Sequence, residues 1–109
     1  MAGRAPPSYP VEAREIIADA DDYRVQIMTL AGDQCVPWHY HSNVDDLFFC
    51  LDGPMVVQTR APRSRHMLTP GQSLIVPART AHYVSGLDGG RCRFLLCQGG
   101  VYDCVPVGS

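Results

Sequence analysis

Proline, glycine and aspartate interrupt this chain so often that no segment of it holds a helical period for long. Between the interruptions lie short runs of β type: "YRVQIMTLAG", "QCVPWHYH", "DDLFFCLDG", "MVVQTR", "HMLTPG", "SLIVPA", "HYVSG" and "CRFLLCQ". A strand needs about four to eight residues with a two-residue alternation, whereas an amphipathic helix needs a longer window with apolar residues three and four apart. Many short strands at regular spacing predict an all-β sandwich or barrel. The alternation also assigns faces: Tyr23, Val25, Ile27 and Thr29 share one side of a strand, and Arg24, Gln26, Met28 and Leu30 the other. Ahead of it, "AREIIAD" reads as a first strand, with a short helix over residues 11–18 as the alternative that so few residues leave open.

The 109 residues suit one domain with one core. We expect a tail or edge strand over residues 1–14 and a single barrel domain over residues 15–109. Nine basic residues, every one an arginine, stand against eleven acidic ones, for a formal net charge of -2. That balance offers no broad electrostatic footprint for nucleic acid or an anionic membrane. The start, "MAGRAPPSYP", has no apolar segment behind its arginine, and no apolar run is long enough to cross a bilayer, so the expected compartment is the cytoplasm. The five cysteines, Cys35, Cys50, Cys92, Cys97 and Cys104, are odd in number and include no C-x-x-C pair. They argue against a disulfide framework or a cysteine zinc knot and read as small apolar side chains.

The chemistry concentrates in "WHYHSNVDDLFFCLDG". His39 and His41 would share one face of an extended strand. Asp46 follows five residues after His41, and Gly53 closes the next strand in "LDGP". Further on, a proline-glycine turn, a short apolar strand and a second proline precede His82 in "PGQSLIVPARTAH". Neutral imidazoles with one carboxylate suit divalent iron, manganese, nickel, copper or zinc, and a few protein ligands leave coordination positions open for water or substrate. Asp45 is expected to point the other way on its strand.

Those residues resemble the two motifs of the cupins, small β-barrels of the jelly-roll type. Gly32, His39, His41, Asp46 and Gly53 fall on the first motif, and Gly71, Pro77 and His82 on the second; the resemblance spans roughly residues 23–98. The chain departs from the pattern at Asp46, where the family has glutamate, at Arg79, where it has glycine, and at Gly86, where it often has asparagine. The spacing from Gly32 to His39 is one residue longer than usual. The resemblance implies a cupin barrel that holds a divalent transition metal on His39, His41, Asp46 and His82. Asp46 is one methylene shorter than glutamate, so it reaches the metal directly or acts through water, leaving three histidines as the inner set.

The inward set of such a barrel shares parity with the ligands, at Phe48, Cys50 and Val84. Polar groups for a pocket would come from Gln58, Tyr40, Tyr83, Arg93 and Tyr102, with Tyr40, Tyr83 and Arg93 the weak catalytic candidates. Trp38 and Tyr40 face away from His39 by alternation and read as packing residues. Cys35 reads as an inert thiol. His66, in the arginine-rich "RAPRSRH", reads as a solvated loop residue, and Arg60, Arg63 and Arg65 as a solubilising hairpin tip.

The resemblance implies a metal-dependent enzyme acting on a small oxygen-rich organic molecule. Dioxygenase-like chemistry is favoured, with an isomerase, lyase or polyketide cyclase, or a non-catalytic sensor of metal or ligand, as alternatives. The fold itself does not choose among these reactions. The family's habit of pairing barrels implies a homodimer joined through edge strands.

Overall fold

A computed structural model describes residues 9–108. Most of the expected N-terminal tail therefore lies outside the described residues. The described residues form ten strands: β1 (Ala13–Asp19), β2 (Tyr23–Leu30), β3 (Cys35–Tyr40), β4 (Asp45–Asp52), β5 (Met55–Thr59), β6 (Ser64–Leu68), β7 (Ser73–Val76), β8 (His82–Gly86), β9 (Cys92–Gly99) and β10 (Val105–Pro106). A single 3₁₀ turn, Leu87–Gly89, is the one helical element among the described residues, so none of their helices is long and apolar enough to span a membrane. "AREIIAD" is a strand and not a helix, because it pairs along β2, with Arg14 opposite Met28 and Ile16 opposite Gln26.

The strands make two five-stranded antiparallel sheets. One has the order β1-β2-β9-β4-β7, the other β10-β3-β8-β5-β6. Residues directly opposite on paired strands share a face, so the register sorts the interior into layers. The lowest layers are apolar: Met28, Phe94 and Cys50 align across the first sheet, and Leu68 and Met55 across the second. Above them come Leu96, Phe48 and Leu74 against Val36, Val84 and Val57, joined by the polar Gln26 and His66 at the margins. At the far end the character changes. Arg24, Gln98, Asp46 and Val76 form one row, and His39, His82, Thr59 and Ser64 the row in the opposite sheet. Burying each large side chain of the apolar layers contributes about 1.5–3 kcal/mol, so the polar layer rests on a floor that holds the two sheets together.

His66 differs from the expectation of a solvated loop. It lies in β6, half-buried opposite Val57, with Nε2 at 2.8 Å from Ser64 Oγ. Ser64 Oγ is in turn 2.6 Å from Thr59 Oγ1, which donates to the Pro62 carbonyl at 3.0 Å, so this chain of polar groups staples the β5–β6 turn. Arg60, at the same turn, holds its guanidinium carbon over Trp38, 4.1 Å from the ring centre, a cation–π contact. The five cysteines are all free thiols.

Candidate metal centre

The polar layer places its groups by strand geometry. His39 and His82 stand directly opposite on β3 and β8, and Asp46 faces them from β4 in the other sheet. His41 follows β3, in the loop that leads into β4. One donor atom from each of His39, His41, Asp46 and His82 lies within 4.8 Å of all the others, and all four residues are buried. Donors on opposite sides of an ion with bonds of about 2.1 Å stand about 4.2 Å apart, so the set needs only a slight contraction to hold one ion.

The rings are oriented by backbone carbonyls. Nδ1 of His39 meets the Pro37 carbonyl at 2.7 Å, Nδ1 of His82 the Thr80 carbonyl at 2.8 Å, and Nδ1 of His41 the Asp103 carbonyl at 2.6 Å. A carbonyl oxygen only accepts, so each Nδ1 carries the hydrogen and each Nε2 is left as the donor atom facing inward. Asp46 Oδ2 lies 3.1 Å from Nε2 of His41 and 2.9 Å from Nε2 of His82. Its other oxygen, Oδ1, accepts from Gln98 Nε2 at 3.0 Å. The shorter aspartate thus reaches the imidazoles without an intervening water. A ring that donates from both nitrogens is an imidazolium, and a divalent cation among the same atoms satisfies them without that extra proton.

The electrostatics agree. Burial, with the neighbouring His82, brings the His39 pKa down to about 4, so this imidazole is neutral with its lone pair available at neutral pH. Burial alone would also lower His41, but the hydrogen bond and charge of Asp46 reverse this and raise it. Burial would raise Asp46, yet hydrogen bonds from His41 and His82 hold it well below the usual carboxylate range. Around the cluster, Phe48 lies edge-on to His82 at 5.9 Å and Tyr102 against His41 at 5.3 Å between ring centres. Burial raises the Tyr102 phenol, and pushes Tyr9 up to about 12, so both stay protonated.

The remaining residues that the sequence singles out lie elsewhere. Tyr40, Tyr83 and Arg93 alternate with inward residues and so occupy the outer sheet faces. Tyr83 packs on Trp38, with 5.7 Å between ring centres. Gln58 is its cross-strand partner and shares that outer face. Asp45 is exposed and accepts the Ala78 N–H at 2.8 Å, tying β4 to the loop ahead of His82. Gln98 belongs to neither motif, and sequence reasoning passes it over. It ends the inward series Cys92, Phe94, Leu96, Gln98 on β9, and a polar residue closing an apolar series is the signal that could have found it.

A barrel of two antiparallel sheets with three inward imidazoles and one carboxylate at one end defines the class of metal-site jelly rolls. The chain belongs to the cupin domain family, whose pattern it matches over residues 26–97. It is 27% identical over 66 residues to the uncharacterized protein YdbB of Bacillus subtilis (strain 168), a match covering 61% of this chain and 56% of that protein. The chain thus spans just over half the length of that relative. Among solved structures, it resembles a conserved protein with a double-stranded β-helix domain from Klebsiella pneumoniae, with TM-score 0.75, 15% identity, and 98% of this chain and 86% of that one covered. It also resembles a variant of Bacillus subtilis oxalate decarboxylase, with TM-score 0.77 and 18% identity, over 95% of this chain and 30% of the other. At these identities the likeness is one of fold.

Proposed function

We propose that this chain is a metal-dependent enzyme that acts on a small, oxygen-rich organic molecule, with dioxygenase-like chemistry favoured. The observation that carries the reading is a buried layer in which donor atoms of three imidazoles, each held through Nδ1 by a backbone carbonyl, and of Asp46 all lie within 4.8 Å of one another. His39, His41, His82 and Asp46 would hold the ion, a donor set suited to iron, manganese, nickel, copper or zinc. A bound divalent ion supplies Lewis acidity and, for the redox-active metals, electron transfer to or from a ligand. The protein contributes the rest. The carbonyls of Pro37, Thr80 and Asp103 fix the rings, Phe48 and the apolar layer beneath keep water from below, and the Tyr102 ring packs against His41. The lyase reading stands second, supported by the fold shared with an oxalate decarboxylase.

Elemental analysis of the native protein, followed by oxygen-uptake assays on the iron-loaded form, tests the proposal. We expect a transition metal at one per chain, lost together on His39→Ala, His41→Ala or His82→Ala. Oxygen uptake with a small organic substrate supports the first reading. Tight zinc with no oxygen response moves the assignment to a lyase, isomerase or cyclase, or to a sensor. Protein that holds no metal, and whose melting temperature no added metal raises, removes the proposal altogether.

A further inference from the structure

One buried side chain in the polar layer is kept although its carbonyl oxygen has no hydrogen-bond partner among the described residues. Gln98 is 4% exposed and stands directly opposite Asp46 on β4 and Arg24 on β2. Its amide orientation is dictated by chemistry: an ionised carboxylate only accepts, so the nitrogen must face Asp46. The carbonyl oxygen then faces away, and Gln98 Oε1 is buried without a hydrogen-bond partner among the described residues. An unpaired buried acceptor costs about 1–3 kcal/mol. The preceding inward positions of β9 avoid any such cost with Phe94 and Leu96.

We propose that Gln98 is the positioning residue of the metal centre, fixing which oxygen of Asp46 meets the ion. The inference rests on the metal reading above. A carboxylate on a short stem can rotate about its last torsion and present either oxygen or both, because that torsion is broad and two-fold. The charge-assisted bond from Gln98 Nε2 occupies Oδ1 and leaves Oδ2 as the single oxygen turned toward the imidazoles, at 3.1 and 2.9 Å from His41 and His82. A carboxylate limited to one oxygen frees a coordination position for a ligand. In this chain the aspartate and Gln98 work as a pair: the shorter acid reaches the ring nitrogens, and the amide stops it from turning. Outer partners of this kind typically change metal affinity about 10–100-fold when removed.

Cobalt(II) serves as the probe, because its visible spectrum reports coordination number. Wild type, Gln98→Leu, Gln98→Met and Asp46→Ala are each loaded, with affinity measured by chelator competition and folding by circular dichroism. The methionine variant keeps the unbranched stem and length of glutamine in case the leucine variant fails to fold. We expect about 10–100-fold weaker cobalt binding in the Gln98 variants, and a spectrum displaced from wild type because Asp46 is no longer held to one oxygen. Wild-type affinity and spectrum in a folded variant, whatever its melting temperature, would leave Gln98 a packing residue and overturn the proposal. Wild-type protein that takes up no cobalt or other metal defeats the metal reading itself, a failure visible before any Gln98 variant is made.

Discussion

Arg79 occupies a left-handed backbone conformation, φ 67°, where the family pattern places glycine. Its N–H donates to the His41 carbonyl at 2.7 Å, so the bend that carries the strain also ties the second motif to the first. For a residue with a Cβ this conformation costs about 1–2 kcal/mol, partly offset in a glycine variant by the greater freedom of its unfolded chain. Arg79→Gly should therefore stabilise the protein by about 0.5–1 kcal/mol, read as a higher melting temperature. An unchanged or lower value would show that the arginine side chain stabilises this bend by some contact of its own. Gly86, another departure from the pattern, has the opposite logic: a Cβ there would overlap the Gly90 carbonyl, so no larger residue fits.

At the scale of elements, β1 is one of the two edges of its sheet among the described residues. A register shift between Ile16 and Ala18 turns the strand, and Ile16 and Ile17 are 45% and 54% exposed. An edge with two bare isoleucines is a template for pairing, and we propose that a second copy covers it in a homodimer. Light scattering should give about twice the monomer mass, and Ile16→Lys with Ile17→Lys should return the protein to monomer. A clean 12.0 kDa species at micromolar concentration from the unaltered chain would end this proposal. The strands themselves were legible in the sequence because alternation is local: Arg24, Gln26, Met28 and Leu30 are buried on β2 as their parity predicts. His39, His41, Asp46 and His82 were legible as a set because they fall on the two motifs by which the chain resembles the cupins, and the fold brings them together. Whether Asp46 reached the rings was not legible, since that depends on the distance between two sheets. Nor was Gln98, which meets Asp46 across 52 residues of sequence only because β9 pairs with β4.

Across the whole molecule, the apolar floor also sets a response to alkali. Cys92 is fully buried, and burial pushes its thiol up to about 11 from an ordinary value of 9.0. The folded state therefore holds this proton where the unfolded state releases it, and the stability so gained is complete below pH 9 and lost as pH rises to about 11. Two units correspond to about 3 kcal/mol as an order of magnitude. Tyr9 extends the same trend toward pH 12. Melting temperature should fall steadily between pH 9 and 11, and the fall should be shallower in Cys92→Ala. A flat profile for the unaltered protein would contradict the burial of that thiol.

Two of the three rings take their orientation from a carbonyl two residues away, but His41 takes its own from Asp103, across 62 residues, and Asp103 Oδ1 also accepts the N–H of Ser42. The four donor residues all lie within residues 39–82, yet the carbonyl that meets His41 Nδ1 comes only with Asp103. A chain cut ahead of Asp103 would therefore keep His39, His41, Asp46 and His82 yet lose the carbonyl that meets His41 Nδ1.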